Sequence, residues 1–171
     1  MTTINIAIAV DSVGALSAKQ LDGFIFMMDD SIFGSSGNGT SHLMTACCPG
    51  QVIKWRPYAV DLQTPVSVKG IEFIGTSRSE TPNSNCGQQQ SLLTASMYGQ
   101  PSDERTSDLK EWVGIVPAFL APDMNYLYRV VIQMGTGKNS VMAIDTPALR
   151  LATGIQTVSA MAKLANINPR S

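Results

Sequence analysis

Residues 126–134 read Tyr126-Leu127-Tyr128-Arg129-Val130-Val131-Ile132-Gln133-Met134, with a large apolar side chain at every second position. Side chains alternate across a β-strand with period two, so Tyr126, Tyr128, Val130, Ile132 and Met134 share one face. The pattern predicts a strand with that face buried. A Gly/Asn-rich turn follows at 135–140, and 141–151 is expected to return as the partner strand, with Pro147 near its middle. The same alternation opens the chain, where Ile4, Ile6, Ile8 and Val10 lie opposite Asn5, Ala7 and Ala9.

Further strands are predicted at 24–28, 52–60, 66–74 and 112–119, with a weaker one at 92–97. Pro57 lacks an amide donor, which points to an edge or a bulge in 52–60. The apolar phase slips at Gly70, as a β-bulge would make it. The polar stretches 34–41, 75–91 and 99–111 predict loops. From 155 the period changes: Ile155, Val158, Met161, Ala162 and Ala165 recur at helical spacing. The resulting expectation is an all-β, Ig-like antiparallel β-sandwich of about eight strands over 1–154, then a short helical C-terminal tail over 155–171.

Charge narrows the function classes. Twelve Lys and Arg face 13 Asp and Glu, a net of -1, too few cations to neutralise a run of phosphates, so no nucleic-acid partner is expected. The hydrophobic share of 44% is too high for a disordered acidic tail. Charged residues are only 15% of the chain, against roughly 25% in an average soluble protein, and a sparse, balanced surface favours association between copies. No run approaches the ~20 apolar residues of a membrane span. No Lys or Arg precedes Lys19 and Asp11 interrupts the first apolar run, so a secretory signal is not expected. Cys47 and Cys48 are adjacent and Cys86 makes an odd third, which argues against a disulfide framework and for reduced thiols in the cytoplasm.

The usual catalytic kits fail one by one. His42 is the single histidine, and the Ser-rich stretch beside it, Gly34-Ser35-Ser36-Gly37-Asn38, misses the G-x-S-x-G pattern at its last position. Pairing His42 with Cys47, Cys48 or Cys86 has only composition behind it. A structural zinc site needs four Cys or His ligands at characteristic spacing, and two of the four such residues are neighbours. Gly135-Thr136-Gly137-Lys138 has Ile132 and Asn139 where a phosphate loop requires Gly and Ser or Thr. Asp29 and Asp30 could offer calcium two carboxylates, but a turn explains them more simply. No catalytic residue, metal or cofactor is therefore expected. What remains as a ligand set is Asp29, Asp30, Asn38 and Trp55, since sugar-binding sandwiches stack an aromatic on the sugar and bind its hydroxyls with Asp and Asn. The competing reading places Trp55 and Trp112 in ordinary packing.

The order of these segments resembles the AidA/PixA (inclusion body protein) family. INIAIAVDS with Asp11 is similar to the family's first strand, FIFMMDDS to its second, and GTSHL at 39–43 to its Gly-Thr turn. PGQVIKWRPYAVDL resembles its Trp-Arg strand at Trp55 and Arg56, and YLYRVVIQM its penultimate strand. The closing strand departs, with Ile144-Asp145-Thr146-Pro147 where the family shows an aromatic and Trp-Asp-Pro. The resemblance implies a small bacterial cytoplasmic β-sandwich of a kind sometimes deposited as inclusions. It carries over no catalytic residue, so Asp11, Trp55 and Arg56 are read as fold signatures. The leading expectation is a non-enzymatic homo-oligomer. The alternative is a carbohydrate-binding module with a glycan partner. A third, a hydrolase, requires His42 within hydrogen-bond reach of a Ser, Cys or carboxylate.

Overall fold

The computed structural model describes residues 3–61, 63–78, 100–101, 111–118, 120–122, 124–152 and 162. Among them run β1 (Ile4–Val10), α1 (Ser12–Ala18), β2 (Ile25–Asp29), β3 (Met44–Cys47), β4 (Val52–Ala59), β5 (Val66–Arg78), β6 (Gln100–Pro101), β7 (Trp112–Ile115), β8 (Met124–Met134), β9 (Val141–Ile144) and β10 (Ala148–Leu151). One sheet has the order β2-β1-β4-β7-β6. The other runs β3-β10-β8-β5, with β9 also paired to β8. The alternating faces of β1 and β8 meet in one apolar core. Ile6, Ile8, Val10, Ile53 and Trp55 from the first sheet lie in the same buried cluster as Tyr128, Val130, Ile132 and Leu149 from the second.

The two-layer all-β architecture is the expected one, with differences in detail. The sheets are mixed and not purely antiparallel: β1 pairs β4 in parallel, and β3 pairs β10 in parallel. Side-chain alternation fixes which face is buried and is silent on strand direction. β3 and α1 were not foreseen. Asp11 caps α1, its carboxylate accepting the Gly14 amide at 2.9 Å. Gly14 is needed there because a Cβ would sit 2.4 Å from the Phe24 ring. α1 ends at Lys19, which takes the left-handed conformation at φ 56°.

Pro57 lies in a central strand, not at a sheet edge. β7 pairs only Val52–Trp55, so beyond Trp55 that side of β4 is locally an edge where a missing amide does no harm. β5 shifts register between Val68 and Gly70, as the phase slip indicated, and again between Phe73 and Gly75. Residues 141–151 do return along β8, broken into β9 and β10 around Pro147. The stretch expected to be loop at 75–91 begins inside β5, and Gln100–Pro101 form β6. The strand expected at 92–97 and, Ala162 apart, the helical tail lie outside the described residues. Among the described residues no helix is long and apolar enough to cross a membrane.

Candidate functional site

Three of the four ligand candidates cluster on one segment, and the structure gives that segment a mechanical job. β2 and β3 each lie at the end of a sheet, and an end strand presents a row of unpaired amides and carbonyls. The stretch from Ser31 to Thr40 fills both rows. On β2, the Met27 amide donates to the Thr40 carbonyl at 3.1 Å, and the Met27 carbonyl accepts the Gly39 amide at 2.8 Å. One step along, the Asp29 amide donates to Asn38 Oδ1 at 2.9 Å. On β3, Met44 exchanges amide–carbonyl bonds with Ser36 at 2.8 and 3.1 Å. The Ala46 amide then donates to Ser35 Oγ at 3.0 Å, and Ser31 Oγ donates to the Ala46 carbonyl. Short side chains thus complete what a neighbouring strand would supply. Asn38 acts as a plug for the β2 edge.

Asp29 and Asp30 serve different partners and do not converge on a ligand. Asp30 accepts both the backbone amide and the side-chain amide of Asn5, each at 2.7 Å. Asp29 Oδ1 accepts the Ser31 amide at 3.1 Å, while its Oδ2 is buried without a hydrogen-bond partner. Among the described residues no group of three or more His, Cys, Asp or Glu is placed to hold a metal ion.

Trp55 corrects the sugar-platform reading. It is 0% exposed, and its ring meets Tyr128 edge-on at 5.9 Å and 70°. Its Nε1 donates to the Tyr128 hydroxyl at 3.4 Å. A sealed indole cannot stack on a ligand. The signal was in the sequence: Lys54 and Arg56 flank Trp55, and in a strand both neighbours of a residue point to the opposite face. Trp112 is only partly buried, but it too packs against the core.

Cys47 lies in the same interior. Its thiol is pushed up to about 12 by burial first, then by Cys48 and Asp29, and burial likewise raises the Tyr128 phenol. The thiolate is the reactive form, so Cys47 should stay unmodified by DTNB at pH 8 in the native protein and react once urea unfolds it. Peptide mapping separates it from Cys48. Labelling of native Cys47 at the rate of a free thiol would contradict this placement.

His42 does reach a serine. Ser41 Oγ lies 2.9 Å from His42 Nδ1 and donates to Asp22 Oδ1 at 2.8 Å. Ser41 Oγ is thus shared between the Asp22 carboxylate and the His42 ring. Ser41 itself is buried, at 6% exposed. Asp22 was not singled out in the sequence, because nothing local links it to a residue 19 positions away.

The outer face of the first sheet carries what sequence reasoning missed. Strand β1, between β2 and β4, presents Ala7 and Ala9. In register beside them stand Met28 and Phe26 on β2, and Arg56 and Tyr58 on β4. Phe26, Met28 and Tyr58 are 39%, 48% and 41% exposed, so the alanines floor a shallow apolar channel between larger walls. Glu111 bridges Lys54 and Arg56 at 3.0 and 2.8 Å on this sheet. Hydrogen bonds first from Arg56 and then from Lys54 hold its carboxyl below the usual carboxylate range.

Comparison with known proteins agrees with the architecture. The crystal structure of the inclusion body protein PixA from Burkholderia cenocepacia is similar, with a TM-score of 0.56 at 8% identity, over 90% of this chain and 95% of that one. At that identity the likeness is one of fold, and it bears out the resemblance read from the strand order. No functionally curated protein matches the chain. A family described as "Domain of unknown function (DUF8788)" matches residues 2–141. That match spans most of the sandwich, from β1 into β9, and the chain belongs to the DUF8788 family.

Proposed function

We propose that this is a non-enzymatic cytoplasmic protein that self-associates, and that copies meet through the outer face of the first sheet. The observation that carries the proposal is the alanine-floored apolar surface walled by Phe26, Met28 and Tyr58. Two further facts support a second copy as its occupant. The edges of β2 and β3 are already plugged, which takes those two sheet ends out of strand pairing between copies. A net charge of -1 gives little repulsion between copies. The fold shared with an inclusion body protein points the same way. The glycan alternative has lost Trp55 as a platform and the Asn38 side-chain oxygen as a free acceptor.

Sedimentation velocity across a concentration series tests the proposal. The wild-type chain is expected to move into dimers or larger species as concentration rises. Met28→Lys places a charge on an exposed wall without touching the core, and should shift the distribution to monomer with an unchanged melting temperature. A wild-type protein that stays monomeric at all concentrations would remove the proposal. So would a Met28→Lys variant that assembles as before.

A further inference from the structure

On another side of the molecule, α1 and the β8–β9 turn border an open groove of about 590 Å³. Leu16, Val141 and Met142 give it apolar walls, Lys19 and Asn139 a polar rim, and Gly137 and the buried Ser140 complete the lining. A volume of that order is the size of a small-molecule site. We propose that this groove binds a small amphipathic monocarboxylate, with the anionic head at Lys19 and the aliphatic body along Leu16, Val141 and Met142.

The charge of the lining selects the head group. Lys19 is a cation, and no lining residue among the described ones is acidic. Lys138 lies between the lining residues Gly137 and Asn139 in the chain. The apolar lining selects the body: Val141 is 45% exposed, and Met142 and Leu16 are only partly buried against the core. Such side chains gain by being covered.

The backbone singles out Lys19 itself. It is the only non-glycine residue with positive φ among the described residues. The end of a helix in this conformation favours glycine, which has no Cβ to strain. A lysine there works against local preference, and its side chain lines the groove. Strain of this kind concentrates where a side chain contacts a ligand.

The test separates head, body and fold. The ¹⁵N-labelled protein is titrated with octanoate, with acetate as the head alone and with octyltrimethylammonium as the same body under opposite charge. Octanoate should saturably shift the amides of Lys19 and of residues 137–142, and both controls should bind about tenfold more weakly or worse. Lys19→Gly removes the ammonium while relaxing the backbone. It should melt no lower than the wild type and lose octanoate affinity by about tenfold or more. No response to octanoate, equal binding of octyltrimethylammonium, or undiminished affinity in Lys19→Gly would each overturn the proposal.

Discussion

Trp55→Ala should destabilise the protein by about 3–5 kcal/mol, the range for removing a fully buried aromatic from a packed core. Trp55 is the largest of the fully buried side chains among the described residues, and it ties the two sheets together by touching Tyr128 across the sandwich. The truncation opens a cavity and also strips the Tyr128 hydroxyl of its indole donor. Domains of this size hold about 5–15 kcal/mol in total, so the variant should sit close to the folding threshold. Urea unfolding measures the loss as a lower midpoint at an unchanged slope. Tyr128→Phe separates the two contributions. It keeps the ring contact, removes one long hydrogen bond, and should cost about 1 kcal/mol. A Trp55→Ala variant as stable as Tyr128→Phe would mean that the indole does not fill the core as described.

The second large effect is expected at Gly37. Its φ is +73°, and a Cβ there would lie 2.3 Å from the His42 carbonyl oxygen, a backbone atom that cannot swing aside. Gly37→Ala should lose about 1–3 kcal/mol from the left-handed conformation alone, and more from the collision. Gly39 is the matched control, with a φ of +80° and open space around its Cβ position. Gly39→Ala should carry only the conformational cost. If the two variants unfold at the same urea concentration, the close approach at Gly37 is not real. Gly37→Ala should also give sedimenting aggregate on warming, because the segment it distorts covers two strand edges.

The parts of the fold that could be read beforehand are those where one face of a strand is buried along its whole length. β1 and β8 fit this description, and their alternation survives into the burial pattern residue by residue. The unreadable parts fail for physical reasons. α1 has seven residues, so it offers too few turns for a helical period to show. β3 has four residues and draws its pairing from β10, about a hundred positions away. Parallel pairing leaves no mark on alternation at all. At the site, Asp29 and Asn38 were read as two members of a ligand set, and in the structure the Asp29 backbone amide donates to the Asn38 side chain. Polar residues suited to holding a ligand's hydroxyls are equally suited to holding a strand's amides, and sequence alone does not say which hydrogen bond they make. Glu111 was assigned to a solvated loop, and its bridge to Lys54 and Arg56 depends on tertiary geometry.

One segment seals both sheets, and this makes their exposure a single event. The Met27 and Asp29 amides on β2 and the Met44 and Ala46 amides on β3 are held by residues between Ser35 and Thr40. When that stretch lifts, all four lose their partners together. They should therefore exchange with solvent deuterium at one common opening free energy, below that of the Ile6 and Val130 amides in the core strands. Two templates for adding a strand would then become available in the same instant, on adjoining layers of one molecule. Strand addition at these two edges would be all-or-none, governed by how often one short loop opens, and distinct from contact through the outer face of the first sheet.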